Sequence, residues 1–333
     1  MERACVAMIS GGLDSALAAK LMLEQGVAVH GLFLAAGWGC CEKSSAQAVA
    51  RHLDIPLMVL GVGDKYLDVI RNPKYGYGAQ MNPCVDCRIY MFGIAKRYME
   101  EIGAGFIVTG EVIGQRPMSQ RKHPLSVIER DAGLDGCLLR PLSAQLLPPT
   151  RPEQEGIVDR AQLLGLSGRS RQEQLALAQR YGITAFSQPA GGCQLTDETF
   201  ARKTKDLFAH EARPRTKDME LLTVGRHFRI SDRLKVILGR NELENLMLEG
   251  YAEEGYTFIG PRFAGPSALV VGPWDEAARE AAIRLVVRHT KADKLPEGFV
   301  EFRGHHGEIW TFDRMTCEAW QQAAPTAECN QLS

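Results

Sequence analysis

Short apolar runs alternate with amphipathic stretches through the first two-thirds of the chain. Residues 4–9 are apolar and of strand length, and residues 16–24 carry apolar side chains at helical spacing, so the opening reads as strand, tight turn, helix. A second strand follows at 27–35. Cys40 and Cys41 then open an expected helix to about Leu53, and 56–62 makes a third strand. Residues 72–83, rich in Gly, Pro, Tyr and Asn, read as an irregular loop carrying Lys74, Tyr75 and Tyr77 toward the surface. A helix is expected over 89–102, a strand over 106–109 and another over 138–142. A proline-rich crossing at 148–152 leads to a helix ending near Tyr181 and then to a cysteine-bearing turn at 188–193. Alternating strands and helices predict a doubly wound parallel sheet, whose ligands belong at the carboxyl ends of the strands.

The texture changes near Pro214. Residues 222–230 and 233–238 read as a strand pair, 241–248 as a short helix, 258–271 as strands broken by Gly and Pro, and 275–288 as a helix. Residues 299–312 would close a small mixed sheet. The expected fold is therefore α/β: a doubly wound parallel sheet over 1–212, then a smaller α+β domain over 218–325, with the boundary near 212–218. There is no internal repeat, and residues 326–333 read as a frayed tail.

Composition sets limits on this picture. A chain of 333 residues with 45% hydrophobic content fits two domains. With 39 basic and 40 acidic residues, any nucleic-acid footprint has to be local. No apolar run approaches membrane-spanning length and no charged leader precedes a long apolar segment, so a soluble, cytoplasmic protein without membrane partners is expected. Nine cysteines, an odd number in a chain of this length, favour thiol, metal or redox chemistry over a disulfide framework.

Two constellations carry chemistry. Ser10-Gly11-Gly12-Leu13-Asp14-Ser15 turns from strand into helix, where free backbone N–H groups and the positive end of the helix dipole face outward. The glycines allow close approach and positive φ, and Ser10 and Ser15 add hydroxyls, so the expected guest is a phosphate chain. The Walker loop is excluded, because no Gly-Lys-Ser/Thr follows. An ordinary Gly-Gly turn with a helix cap is the alternative. The second constellation is Cys84 and Cys87, three apart at the mouth of a helix, where the dipole and Arg88 favour thiolates. Thioredoxin, zinc and iron-sulfur sites all use such a pair. Cys193, after Gly191 and Gly192, is the third candidate thiolate. Softness alone does not separate zinc from a 4Fe-4S cluster with one open iron. Cys40 and Cys41, being adjacent, cannot share one helix face and read as core or solvent thiols.

The spelling Ser-Gly-Gly-Leu-Asp-Ser resembles the pyrophosphate loop of the PP-loop ATPases, which cleave ATP between the α and β phosphates and adenylate a substrate. The resemblance places Asp14 beside ATP and Mg²⁺. With Asn82-Pro83-Cys84-Val85-Asp86-Cys87 and Gly192-Cys193, the chain is similar to the tRNA-uridine 2-thiolases of the MnmA/TrmU type over roughly residues 1–210. Cys84 stands where that family usually has aspartate, which gives the three-cysteine set of thiolases that bind a 4Fe-4S cluster. Residues 224–229 and 239–242 resemble small RNA-binding modules of the NFACT-R type. The resemblance implies ATP-dependent tRNA uridine thiolation. Cys87, Cys193 and Asp14 would be catalytic, Ser10, Gly11, Gly12, Asp14, Ser15 and Gly110 would hold nucleotide, and Cys84, Cys87 and Cys193 would hold the cluster. Implied partners are tRNA, a sulfur donor in the form of sulfide or a persulfide-carrying protein, and a second copy in a homodimer. A small-molecule adenylating enzyme and a non-catalytic RNA-binding or redox-sensing protein are the competing readings.

RNA contact would come from local clusters: Arg116, Arg121 and Lys122; Arg169 and Arg171; and Arg226, Arg229, Arg233 and Lys235. Most such clusters are solvated faces, which is the competing reading here. His227, His305 and His306 read as local hydrogen-bonding groups. Tyr75 and Tyr77 suit either loop packing or stacking on a flipped base.

Overall fold

The computed structural model describes residues 2–39, 41–188, 192–252, 256–322 and 330–332. The chain divides into two compact units, Met1–Asp197 and Glu198–Ser333.

The first unit runs β1 (Ala4–Met8), α1 (Leu13–Glu24), β2 (Ala28–Ala35), α2 (Lys43–His52), β3 (Leu57–Gly61), α3 (Lys65–Arg71), α4 (Cys84–Glu101), β4 (Phe106–Val108), α5 (Lys122–Asp131), β5 (Leu138–Leu139), α6 (Arg151–Gln154) and α7 (Gln172–Arg180). Its strands are parallel, in the order β3-β2-β1-β4-β5. Cys5, Val6 and Ala7 of β1 are all buried, so both faces of the sheet are covered. Leu13, Leu17 and Met22 of α1 pack in one layer, and Phe92, Ala95 and Ile128 of α4 and α5 in the other. The strand order turns back between β1 and β4. That reversal opens a crevice at the carboxyl ends of those two strands, where ligands bind in such folds. Ser10 to Ser15 follows β1 and Gly110 follows β4.

The second unit contains α8 (Glu198–His210), α9 (Thr216–Leu221), β6 (Arg226–Ser231), β7 (Leu234–Leu238), α10 (Glu242–Tyr251), β8 (Thr257–Pro261), β9 (Ala268–Val271), α11 (Glu276–Arg288), β10 (Phe299–Gly304), β11 (Ile309–Asp313), α12 (Arg314–Gln322) and β12 (Asn330–Gln331). The sheet order is β11-β10-β8-β9-β7-β6-β12. Every pairing in it is antiparallel, so the expected mixed sheet is corrected. Ala282, Ile283 and Val286 of α11 pack with Val236, Ile259 and Val270 of the strands.

The expected boundary near 212–218 falls inside this second unit, because α8 belongs to it. Arg229 of β6 donates to the Asp206 carboxylate of α8 at 2.9 and 2.6 Å, and Lys203 donates to the carbonyls of Leu222 and Gly225 at 3.1 and 3.2 Å. Residues 222–225 are turn rather than strand. Within the expected frayed tail, Asn330–Gln331 pairs with Arg229 and Phe228; residues 326–329 and Ser333 lie outside the described residues, as does Cys40. Cys41 precedes α2 instead of opening it.

Candidate active site

The phosphate turn is built as a free helix start. Gly12 caps α1 without a side-chain hydrogen bond, which leaves the first-turn N–H groups without intrahelical acceptors. Gly11 has φ of +84°, and a Cβ on it would stand 2.7 Å from the Ser45 Cβ and 2.9 Å from the Ala46 nitrogen. Only glycine fits both the conformation and the space. The serines hold the turn from within: Ser15 Oγ donates to the Gly12 carbonyl at 2.8 Å, Gly12 N–H donates to Ser10 Oγ at 3.3 Å, and the two hydroxyls stand 3.2 Å apart. Gly110 lies directly against this turn, since a Cβ there would meet the Asp14 carbonyl carbon at 2.4 Å. Gln115 donates to Asp14 Oδ2 at 2.9 Å, whereas Asp14 Oδ1 is buried without a partner. A lone carboxylate oxygen beside a phosphate cradle suits Mg²⁺, which takes one or two carboxylates and completes its shell with phosphate oxygens and water.

The cysteine segments are fastened to this turn. Ser187 N–H donates to the Gly11 carbonyl at 2.9 Å, six residues before Cys193. Beyond Cys193, the Leu195 carbonyl accepts from Met81 N–H at 3.1 Å, at the start of the Asn82-Pro83-Cys84 stretch. Ser187 is thus tied to the phosphate turn and Leu195 to the stretch before α4; residues 189–191 of the expected 188–193 turn lie outside the described residues. Cys84 and Cys87 occupy the first turn of α4. Cys84 Sγ donates to Ser119 Oγ at 3.2 Å, and Tyr66 OH donates to Cys87 Sγ at 3.0 Å. Burial, then the Cys87 charge and hydrogen bond and the Cys193 charge, push the Tyr66 phenol well above its usual range, so Tyr66 has both sulfurs as neighbours. Arg88 is raised as well: burial opposes its charge, and Glu111, Cys87, Cys84 and Cys41 together outweigh that penalty. Among the described residues no three His, Cys, Asp or Glu side chains stand close enough to hold a metal ion. Cys84 and Cys87 share Arg88 as a neighbour, and Cys87 and Cys193 share Tyr66.

Several supporting residues carry no signal in the sequence. Glu111 and Arg140 are 2% and 3% exposed and pair at 3.1 Å. Arg140 also reaches Glu129 at 3.0 Å, and Glu111 lies 3.5 Å from Arg88. This buried chain of alternating charge ends beside the cysteines, and a charged pair inside a strand-to-loop stretch has no periodicity that would single it out. Asp86, between the cysteines, accepts from Lys74 and Tyr75 N–H at 2.8 and 3.0 Å and so holds the 72–83 loop. Tyr75 OH donates to Asp131 at 2.6 Å and Tyr77 OH to the Ile70 carbonyl at 2.7 Å, which makes loop packing their role. Tyr66 stacks between Trp38 and Tyr90 at 6.0 and 5.4 Å.

The basic clusters separate by burial. Arg116, Arg121, Lys122 and Arg169 are exposed. In the second unit Arg229 and Lys235 face Asp206 at 2.6 and 3.6 Å, so they are withdrawn from any phosphate contact, which corrects their grouping with Arg226 and Arg233. His227 is buried and hydrogen-bonds the Val224 carbonyl at 2.8 Å.

Two domain-family models match the chain, one in each unit. Residues 3–129 match the tRNA methyl transferase HUP domain, and residues 225–322 match the NFACT protein RNA binding domain. The chain is 34% identical over 123 residues to the tRNA-specific 2-thiouridylase MnmA 2 of Clostridium botulinum, covering 33% of this chain and 35% of that protein. It is 30% identical over 139 residues to the tRNA-specific 2-thiouridylase MnmA of Rhizobium leguminosarum bv. trifolii, covering 37% of this chain and 35% of the relative. The chain thus spans about a third of the length of these curated relatives. A 4-thiouridine synthetase–RNA complex with bound ATP superposes with a TM-score of 0.37 at 23% identity, over 54% of this chain and 40% of that one. No helix among the described residues is long and apolar enough to cross a membrane.

Proposed function

We propose that the chain is an ATP-dependent tRNA uridine thiolase. The observation that supports this reading is a pair of backbone hydrogen bonds, Ser187 to Gly11 and Met81 to Leu195, which tie chain on either side of Cys193 to the phosphate turn and to the stretch before Cys84. The NFACT-type match in the second unit and the thiouridylase relatives of the first support tRNA as the partner.

The chemistry needs two steps. A uridine carbonyl oxygen attacks the α-phosphorus of ATP; the α–β anhydride bond breaks and its electron pair leaves on pyrophosphate. The turn's N–H groups, with a cation at Asp14, offset the charge on the phosphates. A sulfur nucleophile, supplied as sulfide or from a persulfide-carrying protein, then attacks the activated carbon, and AMP departs with the electron pair of the C–O bond. With a persulfide-carrying donor, one of Cys84, Cys87 and Cys193 takes the donor's outer sulfur and the donor cysteine leaves as thiolate. After this sulfur attacks and AMP leaves, a second of the three thiolates cleaves the S–S bond to the uridine, which leaves thiouridine and a cysteine disulfide that an added thiol reduces; Tyr66 and Arg88 position Cys87. No step is routed through a cluster.

Anaerobically purified full-length chain, incubated with ATP, unmodified tRNA, a persulfide-carrying sulfur donor and a thiol reductant, is expected to form AMP in a tRNA-dependent manner and to yield thiouridine by nucleoside mass spectrometry. Changing Cys84, Cys87 or Cys193 to serine should abolish sulfur incorporation while ATP binding stays. AMP formation indifferent to tRNA would favour a small-molecule acceptor; no AMP at all would leave a binding protein. Iron and sulfide analysis of the same preparation decides whether the thiols recruit a cluster.

A further inference from the structure

A buried polar atom without a partner costs stability, so a native chain keeps few of them unless a ligand supplies the missing bond. In the first unit they include Asp14 Oδ1, Arg171 Nε and Gln174 Nε2. Gln174 is 2% exposed and lies in the first turn of α7, with Arg171 immediately ahead of that helix. The segment before them is tied to the phosphate turn through residues 113–115. Ile113 forms a parallel bridge with Ser167 and its carbonyl accepts from Gly168 N–H at 2.7 Å, while Gln115, two residues on, donates to Asp14. The helices α1 and α7 pack against each other. The orphaned acceptor on the phosphate turn and the two orphaned donors at the start of α7 therefore lie on segments joined through residues 113–115 and through the α1–α7 contact.

We propose that Arg171 and Gln174 grip the β and γ phosphates of bound ATP, the part that leaves as pyrophosphate. This rests on the adenylating reading above and adds to it the residues that take the leaving group. When the α–β bond breaks, its electron pair settles on a β-phosphate oxygen, and a guanidinium and an amide N–H are suited to the growing charge. Arg169, which is exposed, stays available for RNA. The two arginines of one short turn thus serve different ligands.

The test uses the full chain and its Arg171→Met, Arg171→Lys and Gln174→Met variants, titrated with Mg-ATP, AMP and inorganic pyrophosphate and melted without ligand. Arg171→Met and Gln174→Met are each expected to weaken Mg-ATP and pyrophosphate by about tenfold or more and to leave AMP unchanged, as loss of a hydrogen bond to a charged group implies. Arg171→Lys, which keeps the charge but loses the planar fork, should lose less. Gln174→Met should also raise the ligand-free melting temperature, because it removes an unpaired donor. Unchanged pyrophosphate affinity in both methionine variants overturns the proposal. So does a parallel fall in ATP affinity, AMP affinity and melting temperature, which is the mark of a structural role. A wild-type chain that binds pyrophosphate but no adenine nucleotide would instead sink the adenylating reading and leave the anion grip standing.

Discussion

Gly110 is a position where one carbon atom decides whether the site assembles. Its missing Cβ would meet the carbonyl carbon of Asp14 at 2.4 Å and the Ser15 nitrogen at 2.6 Å, and backbone at a helix start cannot swing aside as a side chain can. Gly110→Ala is therefore expected to push the first turn of α1 away from the end of β4, at a cost of about 1–3 kcal/mol. A urea-unfolding midpoint measures that loss, and the phosphate turn should lose ATP affinity with it; a variant that unfolds and binds like wild type would refute the contact. In the sequence Gly110 is a glycine after a strand that the resemblance assigns to the nucleotide, with no sign of what its backbone packs against. Its reason lies in the strand order, which lays β4 beside β1 and brings residue 110 against residue 14. Tyr66, Glu111 and Arg140 were illegible for the same cause: their roles come from partners between 11 and 29 residues away, and no local pattern encodes a partner at that distance.

At the scale of elements, the Cys84–Cys87 stretch shows how a helix and a loop define each other. The apolar period points to a helix from residue 89, whereas α4 starts at Cys84, because its first turn is built of small, polar and charged side chains that mask the period. The same turn carries Asp86, whose two oxygens hold the backbone of Lys74 and Tyr75. Lys74 and Tyr75 in turn reach Asp131 at the end of α5, at 2.7 and 2.6 Å. Two carboxylates thus dock an irregular loop onto two helices, Asp86 onto α4 and Asp131 onto α5. Asp86→Ala removes two charge-assisted hydrogen bonds and should loosen the loop by about 1.5–3 kcal/mol per bond. Limited proteolysis is expected to cut within 72–83 faster in the variant, and sulfur transfer should fall more than ATP binding, because the loop leads into Cys84. Equal cleavage rates would show that the Asp131 contacts suffice. The paired strand and helix patterns of the first unit were legible because each element buries a continuous apolar face. Helix α8 was not, since its buried set includes Lys203, Thr204 and Asp206: Thr204 bonds the Phe200 carbonyl of its own helix, and the partners of Lys203 and Asp206 lie in the turn before the second sheet and on that sheet.

Across the whole molecule the buried charges sit in two places and have different consequences. In the first unit the chain from Arg88 through Glu111 and Arg140 to Glu129 stands beside the thiols. In the second, Asp206 of α8 gathers Arg229 and Lys235 of the sheet, with His210 at 3.4 Å, and welds that helix to the second unit. Lys235 is the member that responds to pH. Burial lowers its ammonium from the usual 10.5 to about 8, with Arg229 and Lys203 adding to the fall and Asp206 opposing it. Because the folded pKa lies below the unfolded one, the unfolded chain binds the proton more tightly between these values. The Lys235 contribution to stability therefore rises with pH from about 8 to about 10.5, by about 3 kcal/mol at most. Lys235→Met removes that contribution and leaves Asp206 with its two hydrogen bonds from Arg229. Buried phenols and thiols raised in the folded chain, such as Tyr66 and Tyr256, pull stability down in the same range, so only the difference between the two proteins isolates Lys235. Urea unfolding of the full chain followed through the second unit should show wild type gaining on Lys235→Met as pH climbs from 8 to 10.5. A gap that stays constant over that range would mean that the ammonium is no more buried in the folded state than in the unfolded one.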